Sequence, residues 1–287
     1  MELDAGSFLL QLAAGGLLFC WVTTRRREVS LGYGWLLRSV FGVLAAAAGV
    51  ILLANEHSFA GACALASTLA ATVALWVSVV RRAAGVRGRE ALRAERKARV
   101  AAMIRTADPA AGDAVDDQDD RGPEFPPVLD LVAPVIAFVG LLAASEFAGG
   151  PAPLAASRLV VGAAFLGAVT DAMLLGHWYL VQPGLRRDAL KEIVIWTAIM
   201  WPFEVAVFLW PTGVVQMFTG TVDDGYNGLL AWVWLVCAIS TIGLVTLTWF
   251  ALRERYYSAV MAATGLLYLA ILTGFGMDLI PRAVLAP

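Results

Sequence analysis

Eight long apolar runs, broken by shorter polar stretches, organise this chain. They fall near 6–23, 35–54, 59–80, 127–147, 158–181, 190–210, 229–250 and 258–278. A hydrocarbon core of about 30 Å takes roughly 20 helical residues, so each run is long enough to cross a bilayer. The pattern predicts an all-α fold, a polytopic membrane helix bundle of about eight transmembrane helices. Three spans precede the one long polar stretch and five follow it. The chain divides into a three-helix segment 1–80, a connecting loop 81–126 and a five-helix segment 127–287.

Charge placement orients the bundle. Of the 21 Lys and Arg residues, 19 fall in 24–34, 81–126, 182–189 and 251–257 or at the adjoining helix ends (Arg38, Lys191), leaving Arg158 and Arg282 on the other side. Basic residues favour the cytoplasmic side. The expected topology is N-out and C-out in the plasma (inner) membrane, with 81–126 cytoplasmic. Trp21, Trp35, Trp76, Trp178, Trp210, Trp232, Trp234 and Trp249 lie near span ends, where indole rings sit at the headgroup level. Trp196 and Trp201 go deeper.

Composition agrees with the pattern. Hydrophobic residues make up 60% and charged residues 15%, with mean hydropathy +0.74 and net charge -2. The first 24 residues hold no Lys or Arg, so the first run is expected to be a retained span, not a cleaved signal peptide. Cys20, Cys63 and Cys237 each stand alone in an apolar run, without disulfide or metal spacing.

The connecting loop has two halves. RRAAGVRGREALRAERKARVAAMIRTAD suits a basic helix, with Glu95 four residues before Arg99; it would be drawn to anionic membrane lipid or to another protein subunit. PAAGDAVDDQDDRGPEFPP is acidic and proline-bearing, the composition of a linker or docking strip. No folded reader domain accompanies the basic charge, which argues against a nucleic-acid partner.

Enzyme signatures are missing: there is no Walker loop, HExxH or GxSxG. His57 and His177 are the two histidines, and they fall toward opposite ends of the bundle, which disfavours a metal site or a two-histidine haem within this chain. Ionisable residues inside spans are costly and draw attention first. Asp171 lies near mid-span and Glu204 two residues after Pro202; both are candidates for a proton path. Asp130, Glu146, Glu192 and Asp278 lie closer to span ends, where interfacial solvation accounts for them.

The stretch TDAMLLGHWYLVQP places Asp171, His177, Trp178 and Tyr179 in one span. Thr170 and His177 share one helical stripe, Asp171 and Trp178 the next, so Asp171 and His177 are expected to line one wide pocket at different depths. Trp178 and Tyr179 double as interface anchors. Leu174, His177 and Leu180 give L-x-x-H-x-x-L, which resembles the triad of quinone sites: an imidazole bonds a carbonyl and exchanges a proton near neutral pH, while leucines pack the ring. A haem or pigment held by His177 alone is the secondary cofactor reading. Gly162, Gly167 and Gly176 mark places for close helix approach. Arg186, Arg187, Asp188, Lys191 and Glu192 would form a charged rim below His177. The loop PTGVVQMFTGTVDDGYNG is expected to dip toward the bundle through VVQMF.

Three functions fit these features. The first is a membrane subunit of a redox or energy-converting complex that binds quinone or another apolar cofactor near the inner leaflet. Its gross shape resembles the quinol-oxidising membrane subunits of some respiratory enzymes. The second is a proton-coupled transporter or channel using Asp171 and Glu204, although no internal repeat is evident. The third is a structural or assembly subunit.

Overall fold

A computed structural model describes residues 4–26, 28–83, 98, 125–183, 185–210, 213–254 and 256–285. Eight helical spans are long and apolar enough to cross a membrane, which marks the chain as membrane-integral. They comprise α1 (Ala5–Thr24), α2 (Leu31–Ala54), α3 (Ser58–Val80), α4 (Val132–Ala144, led in by the 3-10 turn Pro127–Leu131), α5 (Ala152–Val181), α6 (Asp188–Leu209), α8 (Leu229–Ala251) and α9 (Tyr257–Val284). A single short turn of helix, α7 (Val215–Phe218), lies between α6 and α8. The anticipated basic helix and acidic strip fall almost wholly outside the described residues.

Polar breaks set the helix limits. Asp4 caps α1 by accepting from the Ser7 N–H at 2.7 Å, which satisfies one of the orphan donors of the first turn. Glu56 takes a positive φ of 64° to turn the chain between α2 and α3. Asp224 does the equivalent before α8: the backbone N–H groups of Gly228, Tyr226 and Leu230 converge on its carboxylate and hold it below the usual aspartate range. Because the helices alternate in direction, the start of α1 and the end of α9 lie at one face, called here the terminal face.

α1 and α5 form the centre. Within their most apolar stretches 67% and 72% of residues are buried, against 28–44% for the other spans. The two run parallel and cross at glycines. A Cβ on Gly15 would lie 1.8 Å from the Ala163 carbonyl oxygen, and one on Gly167 would lie 2.2 Å from the Gly15 carbonyl carbon. Backbone therefore meets backbone, as small residues allow between helices in lipid. On the α1 side pack α2 and α4, with α3 behind them; on the α5 side pack α6 and α9, with α8 behind. Val43, Leu69, Val236 and Leu272 are among the side chains left outward, and lipid tails would cover them.

The expected spans are recovered, with two extensions that matter. α5 starts at Ala152 and α9 runs to Val284, so Arg158, expected at the outer end of its span, and Arg282, expected beyond the end of the last span, lie inside helices and are buried. The run VVQMF does meet the bundle: Val214 and Met217 are buried in a cluster with Phe208 and Trp234. Trp178 and Trp234 are more than interface anchors. Trp178 donates to the Ser30 hydroxyl at 3.0 Å and Trp234 to the Met277 carbonyl at 2.9 Å.

The glycine crossing is directly testable. Gly167→Val should destabilise the bundle by about 3 kcal/mol or more, because overpacking here pushes backbone against backbone. Gly243→Ala, where a Cβ meets nothing within 4 Å, should be neutral or raise stability slightly. Thermal unfolding in detergent would distinguish the two, and equal melting temperatures would contradict this packing.

Candidate functional site

Four polar constellations occupy the bundle. The deepest surrounds Asp171 on α5, which is wholly buried. Tyr33 of α2 donates its hydroxyl to Asp171 Oδ1 at 2.5 Å. Asp171 Oδ2 and the neighbouring Thr170 hydroxyl have no hydrogen-bond partner among the described residues. Thr23 and Cys20 of α1 stand beside this pair. Thr23 is already committed, its hydroxyl donating to the Phe19 carbonyl at 2.9 Å. The Trp178 ring packs 5.7 Å from that of Tyr33, and so supports the phenol from behind.

A second constellation lies toward the face away from the termini. Arg38 of α2 donates from Nε and Nη2 to the two oxygens of Asp130 at 2.7 and 2.6 Å. Both residues are buried, so Asp130 is not an interfacially solvated carboxylate; the guanidinium compensates its lost hydration. Phe125 lies over the arginine, 4.9 Å from ring centre to guanidinium carbon. A cavity of about 30 Å³ borders the pair, with Thr24, Ser30, Gly34 and Ser78 among its walls; that is room for a water or two. Cys20 feels both Asp171 and the Arg38–Asp130 pair, which places the two constellations next to each other.

The third lies toward the terminal face. Arg282 of α9 grips Asp278, one turn before it, from Nε and Nη2 at 2.8 Å each. Gln11 of α1 donates to Asp278 Oδ1 at 3.2 Å. Asp278 is thus buried and ion-paired, contrary to the interfacial expectation. Glu204 of α6 stands beside Asp278 and Arg282, wholly buried; its carboxyl group faces that of Asp278, and among the described residues no donor reaches either of its oxygens. Arg158 of α5 donates from Nε to the Val207 carbonyl at 2.9 Å. It and Arg282 each approach the buried Phe208 ring at 5.7 Å. Gly162 makes the space: a Cβ there would be 2.3 Å from Gln11 Nε2 and 2.7 Å from Asp278 Oδ1.

The fourth is lipid-facing. His177 is exposed, and its Nδ1 lies 3.0 Å from the hydroxyl of Tyr268 on α9. Asp171 and His177 therefore do not look into one pocket: Asp171 faces α1 and α2, while His177 faces α9 and the outside. Six residues of helical rotation separate them, and neighbours on opposite sides of α5 take one each. Leu174 and Leu180 flank His177 half-buried. Tyr179 is buried and donates to the Arg186 carbonyl. Of the anticipated rim, Glu192 pairs with Arg25 and Arg26, which directly follow α1, and Arg187 donates to the Glu254 and Tyr256 carbonyls. His57 stacks on Phe147 at 3.4 Å between ring centres. Among the described residues no group of three or more His, Cys, Asp or Glu could hold a metal.

Sequence reasoning singled out Asp171 and Glu204, whose carboxyl groups are buried, but passed over Tyr33, Gln11 and the contacts of Arg38, Asp130, Arg158, Asp278 and Arg282. Asp278 and Arg282 did carry a signal, the four-residue spacing of a helical ion pair. Tyr33 and Gln11 carried none. Comparison with protein-family models, curated proteins and solved structures returns no match for this chain.

The buried pair sets a stability test. Arg38→Met leaves Asp130 without its partner and should cost about 3–5 kcal/mol, whereas Arg38→Met with Asp130→Leu should recover much of that loss. A double-mutant cycle on thermal stability in detergent would reveal this coupling; additive losses would argue against a paired, dry site.

Proposed function

We propose that this protein is a proton-coupled transporter or channel in which Asp171 and Glu204 exchange protons within the bundle. The supporting observation is a contrast between two kinds of buried carboxyl group. Asp130 and Asp278 each have both oxygens held by an arginine, the arrangement that keeps a buried charge in place. Among the described residues no guanidinium is bonded to Asp171 or Glu204, and three of their four oxygens receive no hydrogen-bond donor. Groups of this kind inside a membrane serve as proton relays.

Spacing adds to the argument. Nine residues of α5 separate Gly162, beside the Glu204 cluster, from Asp171, or about 14 Å of helical rise. The Gly15–Gly167 crossing lies between them. Protons would reach Glu204 from the terminal face and Asp171 from the opposite face, past the Arg38–Asp130 cavity, with the tight crossing as the barrier. We place the terminal face outside and residues 81–126 in the cytoplasm of a plasma-membrane protein, on the strength of the 19 of 21 basic residues at that end.

Reconstitution into liposomes provides the test. An imposed pH gradient should drive proton flux through the wild type, and Asp171→Asn should lower it by about tenfold or more, the effect expected of losing a proton-transfer group. Flux that survives both Asp171→Asn and Glu204→Gln would remove the basis of this assignment.

His177 favours a second reading. An imidazole bonded to a phenol on a lipid-facing surface, flanked by Leu174 and Leu180, offers a polar notch to a quinone arriving through the bilayer, in a subunit of a redox complex. Purification in mild detergent should then retain quinone and partner subunits, and His177→Ala should lose the quinone. A solitary, quinone-free protein would discard that alternative.

A further inference from the structure

The cavity beside Arg38 and Asp130, at the face opposite the termini, is lined by more hydrogen-bond donors than acceptors. Ser30 and Ser78 line it, and each accepts an indole N–H, from Trp178 and Trp35 respectively, at 3.0 Å. A hydroxyl that accepts still has its own hydrogen to give. Among the described residues neither serine gives it to an acceptor. Arg38 spends Nε and Nη2 on Asp130. Its Nη1 rests over Gly34, where a Cβ would lie 2.9 Å from it, and no acceptor among the described residues receives it. Arg38 and Ser78 are 5% and 1% exposed, so bulk water does not answer for these donors. Thr24, also in the wall, is already committed to the Cys20 carbonyl at 2.6 Å. The start of α2 adds to the surplus. Ser30 precedes that helix but makes no capping bond to it, so the positive end of α2 bears on the cavity wall at Leu31 and Gly34.

We propose that this cavity binds one monovalent anion of halide size, such as chloride, held by Arg38 Nη1 and the hydroxyls of Ser30 and Ser78. The donor surplus selects an anion over water. A water brings hydrogens of its own and leaves the surplus in place, whereas a halide only accepts. Charge favours the same occupant: Asp130 already balances Arg38, and the uncapped end of α2 supplies the further positive potential that a desolvated anion needs. A volume of about 30 Å³ takes a single-atom ion but not a phosphate group, free or in a lipid headgroup. The Arg38–Asp130 bonds stay intact when the ion enters. The site goes beyond the proton-coupled reading and does not depend on it.

Thermal unfolding of the purified full chain in detergent, with gluconate replaced by chloride or bromide at constant ionic strength, tests the proposal. Either halide should raise the melting temperature saturably with a millimolar midpoint, because binding favours the folded state. Crystals grown in bromide should show an anomalous scattering peak in contact with Arg38 Nη1. Ser78→Ala should weaken halide binding by about tenfold, and Ser78→Thr, which keeps the hydroxyl, should retain it. A merely structural serine would shift the melting temperature in gluconate and leave the halide midpoint unmoved. Arg38→Met with Asp130→Leu, the double exchange expected to recover stability, should abolish the halide response. A melting temperature indifferent to halide, a bromide peak without a saturable effect in solution, which marks an adventitious ion only, or stabilisation confined to phosphatidylglycerol-containing nanodiscs would each overturn the proposal. The wild-type response decides the matter even if a variant fails to fold. Halide binding in a protein that carries no proton flux would sink the transport reading and leave this site standing. Flux lost in Asp171→Asn, without a halide response, would do the reverse.

Discussion

The architecture depends on how closely α1 and α5 approach. At Gly15 and Gly167 there is no room for a side chain on either helix, so the two parallel helices meet along their backbones. In lipid no hydrophobic effect drives helices together, and dispersion at such contacts has to supply much of the association. The remaining spans then arrange themselves by which of the two they touch. The buried ionisable groups of the spans gather around that contact: Arg38, Arg158, Asp171, Glu204, Asp278 and Arg282 lie on α5 or on a helix packed directly on α1 or α5, and Asp130 lies in the turn that packs on α1.

Two solutions to the same electrostatic problem coexist in the bundle. Arg38 with Asp130, and Arg282 with Asp278, are closed pairs in which each carboxylate oxygen receives a guanidinium donor. Such pairs are weak evidence for net stability but are costly to break from one side. Asp171 and Glu204 are open by comparison. Tyr33 gives Asp171 one hydroxyl, and Glu204 borrows proximity to a cation that is already engaged. The proton-coupled proposal follows from that difference between neighbouring carboxyl groups.

The number and order of the spans were legible because each apolar run is long enough to cross a membrane. The burial of Asp171 and Glu204 was legible because each carboxyl group stands deep in such a run, where an ionisable residue is costly. Arg158, Asp278 and Arg282 were not. A hydropathy reading ends a span where charges begin, so it trimmed α5 and α9 by about a turn or two and placed these residues in the interface. Asp130 was misplaced for the same reason, at the entrance to α4. The pairing of His177 with Tyr268, and of Asp171 with Tyr33, could not be read either. Helical periodicity gives the stripes of one helix, but which neighbour faces each stripe is decided by tertiary packing. Residues 81–126 keep their compositional reading and nothing more.

The glycine contact also joins residues far apart along the chain. Gly15 and Gly167 are separated by three other spans and the whole connecting loop. At a synthesis rate of about 5–20 residues per second, the 152 positions between them take about 8–30 s to emerge. During that interval α1 has no partner for its narrow face and exposes Gln11 to whatever surrounds it. The central contact of the finished bundle is therefore a late event in its biogenesis, and α2 and α4 must hold α1 upright until α5 arrives.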